Sequence, residues 1–167
     1  MFKSVLTWVT KMRAEHNINP NSVLETGSRD NKYKIGARPC FTDAEKFIGI
    51  DIRPGPCVDT IMDIYDIGYE FGAKSFDAVL CLHVLEHLPK PWNAIDQISY
   101  VLKDNGYLFV SMPTYGYPRH NHPGDFWRAT REAITDTLMS GYDILDVEDS
   151  ASDISKHPFI NCLGRKL

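Results

Sequence analysis

With 167 residues, the chain has the length of one domain, and a separate substrate domain is not expected. Apolar residues make up 43% and charged residues 24%, which excludes the weakly apolar, highly charged composition of chains that stay unfolded. Acids number 22 and bases 18, a net charge of −4, so no global positive field exists to hold bulk nucleic acid.

Positions 2–16 space Phe2, Val5, Leu6, Val9 and Met12 by threes and fours, the period of an amphipathic helix laid on a sheet. Asn and Pro within 17–21 break that pattern. Ser22, Val23, Leu24 and Glu25 then read as a short strand closed by the Thr26-Gly27-Ser28 turn. Between Asp30 and Lys46, Gly36, Pro39 and the lack of apolar periodicity predict a short or broken helix where a full crossover helix would usually lie.

A nearly uniform apolar run at 47–52 predicts a parallel strand buried on both faces, carrying Asp51 at its end and followed by Arg53-Pro54-Gly55-Pro56. A shorter strand is expected at 58–62, ending at Asp63, and a fourth at 76–82. In the helix expected at 92–102, Ile95, Ile98, Val101 and Leu102 share a face, and Asn105-Gly106 is its stop signal. The fifth strand is expected at 107–112, halted by Pro113; a helix at 131–138 and strands at 142–147 and 159–163 complete the chain. Seven strands interleaved with helices predict an α/β layered fold around a mostly parallel sheet.

Cys40, Cys57, Cys81 and Cys162 form no CxxC pair and read as small apolar residues in a reducing compartment. No apolar run approaches the ~18 residues of a membrane span, and the start of the chain lacks a signal-peptide pattern. A cytoplasmic protein with no membrane partner is the expectation.

Ligands of open α/β sheets bind beyond the carboxyl ends of the strands, so residues just after each run are the informative ones. They are Glu25 and Gly27, Asp51, Asp63, and Leu82 with His83. Gly27 lets the backbone turn sharply and approach a ligand. Asp51 lies 24 residues beyond Gly27, a spacing that in nucleotide-binding folds places a carboxylate on the ribose hydroxyls. Asp63 suits an exocyclic adenine amine, Ile52 and Ile64 suit the faces of the base, and Glu25 suits a ligand ammonium group, directly or through water. Each acid taken alone fits an N-cap or turn residue equally well. Three consecutive strands ending in a carboxylate at one sheet edge favour the ligand.

Val23-Leu24-Glu25-Thr26-Gly27-Ser28, Ile48-Gly49-Ile50-Asp51, Phe76-Asp77-Ala78-Val79-Leu80-Cys81, His83-Val84-Leu85-Glu86-His87-Leu88 and Val101-Leu102-Lys103-Asp104-Asn105-Gly106-Tyr107-Leu108 together resemble a class I S-adenosylmethionine-dependent methyltransferase, of the small methyltransferase type 11-like kind. The resemblance runs from about Ser22 to Lys166, and 1–167 reads as a single such domain. It implies a Rossmann-like three-layer α/β/α sandwich with seven strands, the last antiparallel. It also implies S-adenosyl-L-methionine as cofactor, held by Glu25, Gly27, Asp51, Asp63 and the backbone near Leu82. The chain departs from the family's glycine-rich turn: after Gly27 come Ser28, Arg29 and Asp30. Side chains at Ser28 and Arg29 would crowd the cofactor unless the backbone is rerouted and Arg29 pairs with the cofactor carboxylate.

Methyl transfer from a sulfonium is an in-line displacement, so the protein must align two atoms and, for a hydroxyl or protonated amine, remove a proton. His83, His87, His120 and His122 are the candidate bases, with Glu86 and Asp125 as the carboxylates. The loop 113–128 is long and aperiodic but rich in aromatics, which predicts that it packs over the cofactor and builds the acceptor pocket from Tyr115, Asp125, Trp127 and Arg128. An Asp125–Arg128 pair that merely fixes the loop is the competing reading. No metal site is expected, because His120 and His122 point opposite ways in an extended chain and no third ligand stands at a fixed spacing. The function expected is methyl transfer to an O or N nucleophile of a small or medium acceptor. The alternatives are a non-catalytic cofactor-binding or scaffold subunit and a nicotinamide-dependent oxidoreductase, the latter disfavoured by the missing GxGxxG set.

Overall fold

The computed structural model describes residues 3–30, 35–120, 124–150 and 157–167. Helix α1 (Lys3–Glu15) leads into β1 (Ser22–Thr26), and β2 (Lys46–Asp51) and the two-residue β3 (Thr60–Ile61) follow. After a short α2 (Ile67–Phe71) come β4 (Phe76–Leu82), α3 (Pro91–Val101), β5 (Leu102–Pro113), β6 (Tyr142–Asp149) and β7 (Phe159–Lys166). They form a seven-stranded sheet in the order β3-β2-β1-β4-β5-β7-β6. β7 pairs antiparallel with both β5 and β6, while the other pairings are parallel, as expected of this fold class.

Alternation along the strands divides the core. Val23, Ala78, Leu80, Leu82 and Phe109 pack against Val5, Trp8, Val9 and Met12 of α1 on one face. Leu24, Val79, Cys81, Leu108 and Val110 pack against Ala94, Ile95, Ile98 and Val101 of α3 on the other. Strands covered on both sides have no polar face, which is why they read as continuous apolar runs. Trp8 and Phe41 both meet the ring of Phe109 edge-on, with centroids 5.9 and 6.1 Å away; such pairs are worth about 0.5–1.5 kcal/mol each beyond area burial.

Several boundaries differ from expectation. The region 30–46 holds only a 3-10 turn, Arg38–Phe41, in its described part, consistent with its broken periodicity. Asn105-Gly106 does not end α3, which stops at Val101 where Leu102 turns extended. Instead Leu102 already pairs with Phe76, and Asn105, at φ +60°, carries a bulge before Tyr107 rejoins Ala78. The helix expected at 131–138 is π-helical over Ala133–Leu138, with Met139 N–H donating to Ile134 O. β3 is far shorter than the expected strand because only Thr60 and Ile61 find partners on β2. All four cysteines are free, and burial pushes the Cys81 and Cys162 thiols up to about 12, so both behave as apolar side chains. No helix among the described residues is long and apolar enough to cross a membrane.

Candidate functional site

A cavity of about 580 Å³ opens beyond the carboxyl ends of β1, β2 and β4, at the switch point of the sheet. Gly27, Ser28, Arg29, Asp51, Ile52, Asp63, Ile64, Leu82, His83 and His87, all expected at a site, line it. Asp30, Ile50, Arg53, Met62, Tyr65, Val84, Leu88 and Pro89 complete the walls and were not anticipated.

Gly27 sits at φ +66°, and a Cβ there would lie 2.3 Å from Val84 Cγ2. Both facts restrict the position to glycine. The next two residues keep their side chains without filling the turn. Ser28 is buried, its N–H donates to Ile50 O at 2.9 Å, and its side chain lies toward β2. There Gly49 makes room for it: a Cβ at Gly49 would come within 2.7 Å of Ser28 Oγ. Arg29 bends along the loop after β2, with Nε donating to Pro54 O at 3.0 Å and its stem against Gly55. The missing glycines of the turn are thus offset by glycines on its neighbour.

Asp51 and Asp63 face the same cavity, and each also satisfies its own loop. Asp51 Oδ1 accepts from Arg53 N–H at 3.0 Å, and Asp63 Oδ1 caps the turn that follows by accepting from Tyr65 N–H at 3.0 Å. The turn reading and the ligand reading therefore hold together, since each carboxylate keeps a second oxygen. Glu25 is a correction to the expected set. It does not line the cavity but shares the face of Val23, and both its oxygens accept from Ala37 N–H, at 3.0 and 3.1 Å. Burial pushes its carboxyl up to about 8, with the Ala37 N–H acting in the opposite direction.

At the other wall, His83 holds a left-handed backbone at φ +56°, rare for a side chain of its size. His83 Nδ1, His87 Nε2 and His120 Nε2 stand 3.5, 3.8 and 3.7 Å from Glu86 Oε1. Glu86 is fully buried, and among the described residues neither of its oxygens accepts a hydrogen bond. His120 does not line the cavity; its ring meets that of His87 edge-on at 4.8 Å. Burial, and then the neighbouring His87, lower the His120 pKa. His122 lies outside the described residues.

The loop after β5 docks on the 85–88 turn. His87 Nδ1 bonds the Gly124 carbonyl, Phe126 N–H donates to Glu86 O at 2.7 Å, and Trp127 Nε1 donates to Leu88 O at 2.8 Å. Arg128 grips Asp125 with both Nη atoms, at 2.5 and 2.7 Å, and also donates to the carbonyls of Tyr117 and Pro118. That guanidinium holds the Asp125 carboxyl well below the usual carboxylate range. None of Tyr115, Asp125, Trp127 and Arg128 lines the cavity. Tyr115 is 92% exposed, because the turn at Gly116 directs it outward, and the Asp125–Arg128 pair fixes the loop.

A family model described as a methyltransferase domain matches residues 1–147. The chain belongs to that family, and its fold is that of the class I S-adenosylmethionine-dependent methyltransferases. Among solved structures it is similar to the 1,6-didemethyltoxoflavin-N1-methyltransferase of Burkholderia thailandensis, crystallised with 1,6-didemethyltoxoflavin and S-adenosylhomocysteine. That likeness has TM-score 0.76 and 15% identity, over 98% of this chain and 79% of the other. It is also similar to the N-methyltransferase NodS of Bradyrhizobium japonicum, crystallised with S-adenosylhomocysteine, at TM-score 0.73 and 15% identity over 98% and 86% of the two chains. A ubiquinone biosynthesis O-methyltransferase of Glaesserella parasuis is 42% identical over 38 residues; the match spans 23% of this chain and 16% of that protein's length.

Proposed function

We propose that this chain transfers the methyl group of S-adenosylmethionine to an oxygen or nitrogen of a small or medium acceptor. The observation that carries this reading is the convergence of Gly27, Asp51 and Asp63 on one cavity at the switch point of the sheet. The residues fit the cofactor: Asp51 suits the ribose hydroxyls, Asp63 the adenine amine, and Ile52 with Ile64 the apolar faces of the base. The Gly27 turn, with Ser28 and Arg29 drawn aside, leaves room for the amino-acid end. Bound there, the cofactor supplies an activated methyl group.

The chain's own part is alignment and proton removal. Leu82, Val84, Leu88 and Pro89 give a wall that sheds water, and His83 and His87 bring nitrogen atoms to it. His120 supports His87 from behind, and the 113–128 loop closes this side through its bonds to the 86–88 turn. Glu25, held by the Ala37 N–H, shapes the floor beneath the turn rather than touching a ligand.

Incubation with methyl-labelled S-adenosylmethionine and a panel of small hydroxylated and amine acceptors tests this function. Release of S-adenosylhomocysteine with label on an acceptor is expected. Tight cofactor binding with no transfer to any member would favour the non-catalytic reading.

A further inference from the structure

Glu86, His87 and His120 bring one ligand atom each to a single point, all within 4.8 Å of one another. We propose that these three side chains bind a divalent first-row transition-metal ion at the wall of the cavity.

The orientation of the two imidazoles carries the inference. His87 Nδ1 faces the Gly124 carbonyl, which can only accept, so Nδ1 bears the ring proton and the Nε2 lone pair is left for a ligand. That Nε2 stands 3.8 Å from Glu86 Oε1. His120 is placed similarly but less tightly: Nδ1 stands 3.5 Å from Asp125 Oδ2 without a formed hydrogen bond, while Nε2 stands 3.7 Å from the same Glu86 oxygen. A carbonyl or carboxylate behind each metal-binding histidine is the usual outer support, fixing the tautomer and the ring angle. Asp125 is itself locked by Arg128 and by the His120 N–H at 2.7 Å.

Glu86 supplies the second observation. Its side chain is 0% exposed, and neither oxygen accepts a hydrogen bond among the described residues. Buried carboxyl groups are normally hydrogen-bonded, paired or metal-bound. Separations of 3.7 and 3.8 Å are too long for hydrogen bonds. Ligands about 2.0–2.2 Å from one ion stand roughly 3.0–3.4 Å apart. The Glu86 separations are slightly wider and the widest separation in the group is 4.8 Å, so both imidazole rings must turn inward to close the site. Two imidazoles and one carboxylate favour zinc, cobalt, iron or manganese over the all-oxygen sites of calcium and magnesium.

The expectation of no metal turned on the third ligand. It was sought at a fixed spacing from His120, whereas Glu86 reaches the point from the turn after β4, 34 residues earlier. His87 also lines the cavity, so the ion would stand where an acceptor oxygen can join it as a further ligand. This consequence for the acceptor rests on the methyltransferase reading; the metal site itself does not.

The protein stripped with a chelator is titrated with cobalt(II), following its visible ligand-field absorption. One saturating equivalent is expected, with binding at least about tenfold weaker in Glu86→Gln and in His120→Ala. A His16→Ala control, which removes a histidine remote from the cluster, should bind as the unmodified chain does. Carbethoxylation of the unmodified protein, mapped by mass spectrometry, needs no variant to fold: zinc should protect His87 and His120. Absence of a one-equivalent endpoint, undiminished binding in both folded variants, or no protection by zinc would overturn the site. S-adenosylhomocysteine titrated into the stripped protein separates the two readings, because cofactor binding without metal binding defeats only this inference.

Discussion

Gly27 and Val84 meet across the mouth of the cavity so closely that a Cβ on the glycine would stand 2.3 Å from Val84 Cγ2. The contact joins the turn after β1 to the turn after β4, the two edges between which a ligand must lie. Gly27→Ala should therefore fail twice, by the left-handed φ, at a cost of about 1–2 kcal/mol, and by the steric overlap. A lower midpoint of thermal unfolding and loss of S-adenosylhomocysteine binding are expected; unchanged affinity would mean that the turn does not frame the ligand.

Asp51→Ala tests the ribose assignment. Hydrogen bonds to a charged group are worth about 1.5–3 kcal/mol, so S-adenosylhomocysteine should bind roughly 10- to 150-fold more weakly, with the fold intact. Calorimetry paired with thermal unfolding reads both, and equal affinity in a stable variant would refute the role.

How these residues could be recognised differs from one to the next. Asp51 and Asp63 were legible because a strand-end rule is local: an apolar run, then an acid. Glu25 obeys the same rule, yet period-two alternation puts it on the face of Val23, toward the segment carrying Ala37 and Phe41. That alternation was present in the sequence and outweighs the strand-end argument. The meeting of Glu86 with His120 could not be read from spacing, because the loop carrying His120 is placed by Arg128, which donates to Tyr117, Pro118, Asp125 and Trp127 in three dimensions. Ser28 and Arg29 would crowd a tight turn if their side chains stayed within it. Their relief, Gly49 and Gly55, lies on the neighbouring strand and its loop, where pairing register rather than sequence proximity decides the contact.

Glu25 predicts a pH dependence. Its folded carboxyl is raised to about 8 by burial, from an ordinary value of about 4.5. The folded state thus holds a proton that the unfolded state releases between these pH values. The contribution of Glu25 to stability is fully present below about 4.5 and falls as pH rises toward about 8. Glu25→Gln, which keeps the shape and one acceptor, should remove that slope and make the protein more stable at pH 8, by on the order of 2–4 kcal/mol. Denaturant unfolding of both proteins across this window provides the check; parallel curves would contradict it.

Arg128→Lys keeps a charge but loses the planar fork that binds Asp125 at two points and also reaches the Tyr117 and Pro118 carbonyls. Stability should drop by about 1–3 kcal/mol, and proteolysis should accelerate within 113–128. Because the Asp125 carboxyl is depressed by Arg128, its contribution is present above the ordinary carboxylate range and is lost as pH falls through its lowered pKa. The variant should therefore lose less stability than the parent on acidification. Identical acid profiles would show that the pair does not hold the loop.

The most direct measurement of the central claim is a calorimetric titration of the folded chain with S-adenosylhomocysteine beside NAD. Saturable one-to-one heat with the sulfur ligand, and none with NAD, is the outcome the cavity between Gly27, Asp51 and Asp63 demands. A flat trace with S-adenosylhomocysteine at millimolar concentration, from protein of normal thermal stability, would contradict it.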